Sequence, residues 1–319
     1  MCFMELKEQD FKILSYLYHN NREPISKIAK ACKLTRDQVG YKLNKYISSG
    51  LIVKFYTIFN YKKIGYDCYS VILIKATNNS LKELESTLEK SKNLISYGKA
   101  FGKYDLYINS IFKDEKELSD YISNLITKYN ISDYIVIKPY FAELYPLKFF
   151  KVKEKNNFSL VSESETKIKL DEKEKLILKA LEKDGRVKII GIAKETGMSS
   201  ELILYKIRKL QKEKVILGSR IQFNMEKLGY SLSALLINIQ GLSNLNKEKL
   251  KKFTRESKNV ISMSLSVTQP NCVIQLFHKD NQEVKDVVIK LKEMFKENEL
   301  NIDLVLIDQE EYINTLPFF

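Results

Sequence analysis

Apolar residues at helical spacing recur twice in this chain, and each time they give way to runs with strand-like alternation. Phe11, Ile13, Leu14, Leu17 and Tyr18 form a stripe that predicts a helix over Leu6 to Asn20, and Leu176, Ile177, Leu178 and Leu181 predict its counterpart over Leu170 to Lys183. Pro24 suits the first turn of a second helix, which carries Ile28 and Ala29 inward and ends near Cys32 and Lys33. Thr35 is positioned to N-cap a third helix, and Ser199 takes the same place in the copy. That third helix is expected to bury Val39, Leu43 and Ile47, leaving Arg36, Gln38, Tyr41, Lys42 and Lys45 on its other faces. After Gly50 the run LIVKFYTIFN is β-branched and aromatic, as is its copy VILGSRIQFN, and each predicts a short two-stranded wing.

The two copies are in register. Ile28/Ile192, Ala29/Ala193, Lys30/Lys194, Tyr41/Tyr205, Lys42/Lys206, Lys45/Lys209 and Ile52/Ile216 coincide at a constant offset of 164 residues, and both copies close on Lys-Ile/Leu-Gly-Tyr at Lys63 to Tyr66 and Lys227 to Tyr230. A gap-free match of this length indicates internal duplication.

Beyond each copy the hydrophobic period changes. Strand, helix, strand, strand, helix, strand is predicted over Tyr69–Ala76, Leu81–Lys90, Leu94–Phe101, Asp105–Phe112, Glu115–Lys128 and Ser132–Lys138. The second half repeats it over Leu232–Ile239, Lys247–Glu256, Val260–Val267, Cys272–Phe277, Gln282–Glu297 and Ile302–Ile307. The expected class is therefore α+β. Its units are winged helix-turn-helix 1 (1–60), ferredoxin-like unit 1 (67–150), a polar, serine-bearing linker (151–168), winged helix-turn-helix 2 (169–224) and ferredoxin-like unit 2 (231–319). Each half ends on Leu-X-Phe-Phe, at Leu147 to Phe150 and Leu316 to Phe319. Such residues left in water would forgo roughly 1.5–3 kcal/mol of burial each, so both tails are expected to dock.

Charge sharpens this picture. The chain has a net charge of +13. Residues 1–66 hold 12 Lys/Arg against 5 Asp/Glu, and residues 170–230 hold 14 against 9, so the excess lies almost wholly in the two helix-turn-helix repeats. A polyanion partner requires basic side chains collected on the element that touches it. In the first half Arg36 and Gln38, near the helix start, are candidates for base contacts, while Tyr41, Lys42 and Lys45 are candidates for the same face and its phosphate contacts. Tyr205, Lys206, Arg208 and Lys209 are the candidates in the second half, where Leu202 and Leu204 replace Gln38 and Gly40 and make the face more apolar.

Chemistry of other kinds is sparse. The four cysteines lie far apart with no CxxC, no phosphate-binding glycine loop is present, and no apolar run reaches about 18 residues. His19 and His278 have no triad-like company and are expected on the surface, and Glu310 with Glu311 read as exposed charges. Catalytic residues, bound metal and cofactor are not expected, the chain is expected not to be an enzyme, and a cytoplasmic location follows by default. One stretch, Gly98 to Asp105, places two glycines, a tyrosine and a carboxylate around a strand-strand turn. It is either a small-molecule site, with Asp105 taking an ammonium group, or a hairpin whose glycine permits positive φ.

Asp10-Phe11-Lys12-Ile13-Leu14, Ile28-Ala29-Lys30, the helix Leu34 to Tyr46 and Gly102-Lys103-Tyr104-Asp105, taken in this order of elements, resemble the Lrp/AsnC (feast/famine) transcriptional regulators, here as a tandem fusion of two copies. The resemblance implies a double-stranded DNA-binding regulator whose RAM-type sheet units pair into dimers or higher assemblies, or internally as a pseudo-dimer. It further implies an amino-acid or similar effector near Gly102, Tyr104 and Asp105. In the second half Thr268 and Asn271 replace the glycine and aspartate, which speaks against two equal effector sites. Two alternatives stand beside this reading: a siroheme-decarboxylase-like enzyme, since those enzymes resemble the same family in paired units, and an architectural DNA-coating protein without effector.

Overall fold

The computed structural model describes residues 5–150, 157–161, 166–308 and 312–319. The first half runs α1 (Glu8–Asn20), α2 (Ile25–Cys32), α3 (Arg36–Ser48), β1 (Ile52–Phe59), β2 (Cys68–Ala76), α4 (Asn78–Glu89), β3 (Leu94–Phe101), β4 (Leu106–Phe112), α5 (Glu115–Lys128), β5 (Ile131–Ile137) and β6 (Pro139–Leu144). A short linker strand, β7 (Phe158–Val161), leads to the second half: α6 (Glu172–Lys183), α7 (Ile189–Thr196), α8 (Ser200–Lys212), β8 (Ile216–Phe223), β9 (Ser231–Ile239), α9 (Asn244–Glu256), β10 (Val260–Ser266), β11 (Cys272–His278), α10 (Asn281–Met294), β12 (Leu300–Ile307) and β13 (Tyr312–Ile313). The class is α+β, with two winged helix-turn-helix units and two sheet units. Every expected helix is present, as is every strand of the two expected β-α-β-β-α-β units, while β6, β7 and β13 carry no alternation long enough to predict them.

Thr35 caps α3: its hydroxyl accepts from Gln38 N at 3.2 Å, and Gln38 Oε1 accepts from Thr35 N at 2.9 Å, a reciprocal capping box. Ser199 caps α8 through Leu202 N at 3.3 Å without a reciprocal partner, since leucine has no acceptor. The first helical core gathers Ile13, Leu14, Leu17, Ile28, Val39 and Leu43, and the second gathers Ile177, Leu178, Ile192, Ile203, Ile207 and Leu210. Ile47, expected inside, is exposed; Tyr46 takes the inward place, its hydroxyl donating to Asp10 Oδ1 at 2.6 Å.

A carboxylate clamp ties the first helix to the third in both units. Lys42 Nζ lies 2.6 Å from Asp10 Oδ1. In the copy, Lys206 Nζ lies 2.5 Å from Asp171 and 3.5 Å from Glu174, and Lys209 Nζ lies 2.9 Å from Glu174. Burial alone would raise the carboxyls of Asp10 and Glu174, but the donors around them outweigh it and hold both below their ordinary values. Asp171 is lowered chiefly by its bond from Lys206.

The wings depart from expectation. Instead of a two-stranded wing in each unit, β1 pairs antiparallel with β8, and Tyr56 faces Arg220, its own counterpart in the duplication, so a local pseudo-two-fold axis passes there. LIVKFYTIFN has no Gly, Pro, Asn or Asp before its last residue and so no internal hairpin turn; it forms one strand, whose edge is satisfied by the other copy. Arg22 reaches Gly185 O at 2.8 Å and Val187 O at 3.0 Å, and its counterpart Arg186 reaches Glu23 O at 3.3 Å. Gly185 itself sits where an added Cβ would meet the Tyr56 backbone at 2.9 Å.

The sheet units are joined as closely. All strands but β1 and β8 form one eleven-stranded sheet in the order β5-β2-β4-β3-β12-β9-β11-β10-β6-β7, with β13 also on β3. Each half thus lends its last strand to the other: β6 lies on β10, and β13 on β3. Helices α4 and α5 cover one outer face over Ile72, Ile74, Leu106 and Ile108, and α9 and α10 cover the other over Leu235, Ile237, Cys272 and Ile274. The inward faces meet through Val71, Leu73, Tyr107, Leu232, Leu236 and Val305. The tails dock as expected. Leu147 and Phe150 enter the first helical core with Phe150 5.2 Å from Phe223, Leu316 enters the second, and Phe318 stacks 3.5 Å from Tyr66. Phe319 remains exposed. The halves are an internal pseudo-dimer.

Glu174→Gln is expected to cost about 2 kcal/mol in chemical denaturation, because it leaves buried Lys206 with one exposed partner. The lowered carboxyls contribute stability that is present above their ordinary values and lost as pH falls through their folded ones. The unfolding temperature is therefore expected to drop between about pH 5 and pH 3, and by less in the Asp10→Asn, Glu174→Gln double variant. Leu73→Ala, between the sheets, is expected to cost about 2–4 kcal/mol by the same assay.

Candidate nucleic-acid interface and the cavity between the halves

The candidate DNA-contacting residues divide into two groups. Arg36, Gln38, Tyr41 and Lys45 are exposed on α3, and Tyr41 is 71% exposed. Asn44, absent from the candidates that the sequence suggests, is exposed beside them. Its spacing from Tyr41, three residues on, was the available signal. On α8 the exposed residues are Ser200, Glu201, Leu204, Tyr205, Arg208, Gln211 and Lys212.

Lys42 and Lys206 are a correction. Both are expected from spacing as free cations on an outer face, but Lys206 is buried and Lys42 half-buried, each held against carboxylates at the start of the first helix of its unit. Lys209 is half-buried and engaged by Glu174. Sequence spacing could not show this, because the paired acids lie some thirty residues away. Gln38 retains an exposed position, although its Oε1 serves the cap. Leu202 packs into the second helical core, while Leu204 remains on the surface.

Much of the basic excess is likewise engaged within the fold. Arg22 and Arg186 bridge the two helical units, and burial lowers the pKa of both guanidinium groups. Arg220 lies over the rings of Tyr18 and Phe158 at 4.9 and 4.1 Å, Lys54 pairs with Glu182 at 2.7 Å, and Lys227 donates to Ser49 O. Arg36, Lys45 and Arg208 have no carboxylate partner among the described residues.

At the turn, Gly102 has φ +116° and is open to solvent, Tyr104 is buried between the sheets, and Asp105 is half-buried. Asp105 Oδ2 accepts from Ala76 N at 2.9 Å. Asn271 does the same in the copy, its Oδ1 accepting from Ile239 N at 3.0 Å and its Nδ2 donating to Ile239 O at 2.8 Å. Both side chains thus fasten the hairpin to the end of the first sheet strand, and an ammonium ligand would compete with that bond.

His278 is a second correction: it is buried, its Nε2 2.8 Å from Ser233 Oγ, and burial lowers its pKa. The His19 side chain and Glu310 with Glu311 lie outside the described residues. Cys32, Cys68 and Cys272 are buried free thiols whose pKa burial raises. Among the described residues no group of three or more His, Cys, Asp or Glu could hold a metal ion, and no helix is long and apolar enough to cross a membrane.

A cavity of about 200 Å³ lies between the halves, where the paired strands β1 and β8 meet the inward sheet faces. Its walls include Tyr56, Tyr61, Tyr69, Tyr107, Arg220 and Gln275. No sequence pattern foretells it, because its residues come from strands that pair only across the duplication.

Comparison with known proteins bears on both features. A winged helix-turn-helix DNA-binding family matches residues 6–53 and again 170–216. The HTH-type transcriptional regulator PH1692 of Pyrococcus horikoshii is 28% identical over 39% of this chain and 84% of its own length. The HTH-type transcriptional regulator FL11 of Pyrococcus abyssi is 28% identical over 37% and 79%. Among solved structures, siroheme decarboxylase NirDL matches 98% of this chain and 96% of its own at 17% identity and a TM-score of 0.66. That match overturns the expectation that the chain is not an enzyme, since the same doubled scaffold, end to end, is that of an enzyme. With two helix-turn-helix matches in register, a duplicated β-α-β-β-α-β unit behind each and regulators that align to one half at a time, the chain carries two winged helix-turn-helix DNA-binding units and is similar, half by half, to HTH-type transcriptional regulators.

Proposed function

We propose that the chain is a sequence-specific double-stranded DNA-binding transcriptional regulator, with α3 as its principal reading helix, α8 as a diverged partner and a small molecule modulating it. The observation that carries this is the exposed surface of α3: Arg36, Gln38, Tyr41, Asn44 and Lys45 all reach solvent, and neither cation is drawn off by a carboxylate among the described residues. Arginine and amide groups near a helix start suit base edges in the major groove, and Lys45 suits phosphate. On α8, Leu204 and Tyr205 occupy the corresponding surface, so Arg208 and Lys212 contribute charge with little base-reading capacity. The shared β1 and β8 pair holds the two helix-turn-helix units as one body, which suits an operator contacted asymmetrically.

A second reading, decarboxylation of a tetrapyrrole, is favoured by the end-to-end match to NirDL, which has also been solved with an iron-uroporphyrin III analogue. The cavity between the halves supplies one arginine, Arg220, for such a polycarboxylate, and no histidine or lysine is among its lining residues. On this reading, mixing the protein with iron-uroporphyrin III shifts the Soret band of the tetrapyrrole.

On the regulator reading, Arg36→Ala with Lys45→Ala weakens duplex DNA binding and flattens the slope of log affinity against log salt by about 2, measured by fluorescence anisotropy at several salt concentrations. Lys42→Ala instead lowers the unfolding temperature and leaves the salt slope of the folded protein unchanged. Unaltered binding and slope in the Arg36, Lys45 double variant would remove α3 as the reading helix.

A further inference from the structure

We propose that the cavity between the halves is a binding site for a small, uncharged, ring-bearing molecule with one carbonyl or amide edge. This extends the effector part of the proposed function but does not depend on DNA binding.

The walls set the class of ligand. Tyr56, Tyr61, Ile95, Leu232, Val273 and Phe277 present rings and aliphatic groups, and the ionic groups are already engaged. Glu143 holds Arg255 through two bonds of 2.9 Å, and the Arg220 guanidinium lies between two rings. An apolar cavity of about 150 Å³ accommodates benzene. About 200 Å³ therefore suits a single ring with one small polar substituent.

The polar edge comes from the way the duplication has diverged. Asn109 and Gln275 hold the same place in their units, each beside a serine on the neighbouring strand and each opposite the inward residue of the first strand, Val71 or Ala234. In the first half the amide is complete: Asn109 Oδ1 accepts from Tyr69 OH at 2.8 Å, and Nδ2 donates to Ser96 Oγ at 2.9 Å. In the second half Ser262 Oγ donates to Gln275 Oε1 at 2.6 Å, but Leu232 stands where the first half has Tyr69, and Gln275 Nε2 has no partner among the described residues. Turning the amide over only exchanges which end is left bare. Gln275 is 8% exposed, and Thr315, on the same cavity wall and 5% exposed, also has an unpartnered hydroxyl. Buried groups of this kind are costly to leave unpaired against largely apolar walls. A ligand carbonyl accepting from Gln275 Nε2, with a ring against the tyrosines, answers both the shape and the missing bond. An occupant would touch β1 and β8 as well as both sheet faces, so all four units would sense it.

Benzamide and toluene serve as probes on the full chain, followed by calorimetry and by the rise in unfolding temperature. Wild type is expected to bind both, with benzamide preferred. Gln275→Met is expected to weaken benzamide about tenfold and leave toluene unchanged, and Thr315→Val, a milder change, to weaken benzamide in the same sense. Since neither readout involves DNA, loss of the regulator reading would not alter these outcomes. Absence of binding by either probe to wild type, as a water-filled cavity would give, overturns the proposal. So does benzamide affinity equal to wild type in both variants.

Discussion

Neither half of this chain can satisfy its own strands. β1 and β8 each have no hairpin partner within their helical unit, and the inward faces of the two sheet units carry Val71, Leu73, Leu236 and Val305, which would otherwise meet water. Backbone groups and apolar area of this kind are expensive to leave uncovered. The arrangement that covers both is antiparallel pairing of β1 with β8 above face-to-face sheets, and the exchange of β6 and β13 follows from the same closeness. The duplication is thus a structural requirement, and fusion keeps the two copies at each other's disposal.

That pairing decides which cations are available. Arginines that bridge the helical units and lysines that clamp first to third helices are lost to an external partner, however basic the sequence reads. Counterion release depends on charges a phosphate can reach, so the outward side of α3 carries more weight than the net charge. Divergence acts on the same helix pair. Gln38 closes a capping box that Leu202 cannot, and Leu202 turns into the core, so the two third helices differ in both start and surface.

The cavity arises where the two pseudo-symmetric frameworks meet without matching. A tyrosine completes the buried amide in one half, and a leucine leaves it incomplete in the other. The siroheme decarboxylase NirDL shares this doubled scaffold end to end. What the cavity does depends on its lining, which here is tyrosine-rich and carries a single arginine.

The residues alone determined the duplication, the helix-turn-helix units, the order of every sheet strand with clear alternation and the docking of the tails, because these depend on local period and on caps such as Thr35 and Ser199. The turn at Gly102 to Asp105 was visible too, though not that Asp105 and Asn271 both fasten a hairpin. Only the tertiary structure decided which strand pairs with which, that Lys42 and Lys206 face inward, that His278 is buried and that a cavity exists. Each of these depends on groups far apart in sequence, such as Asp10 with Lys42 or Tyr56 with Arg220. Periodicity along one strand or helix reports which face is apolar; it does not report what lies against it.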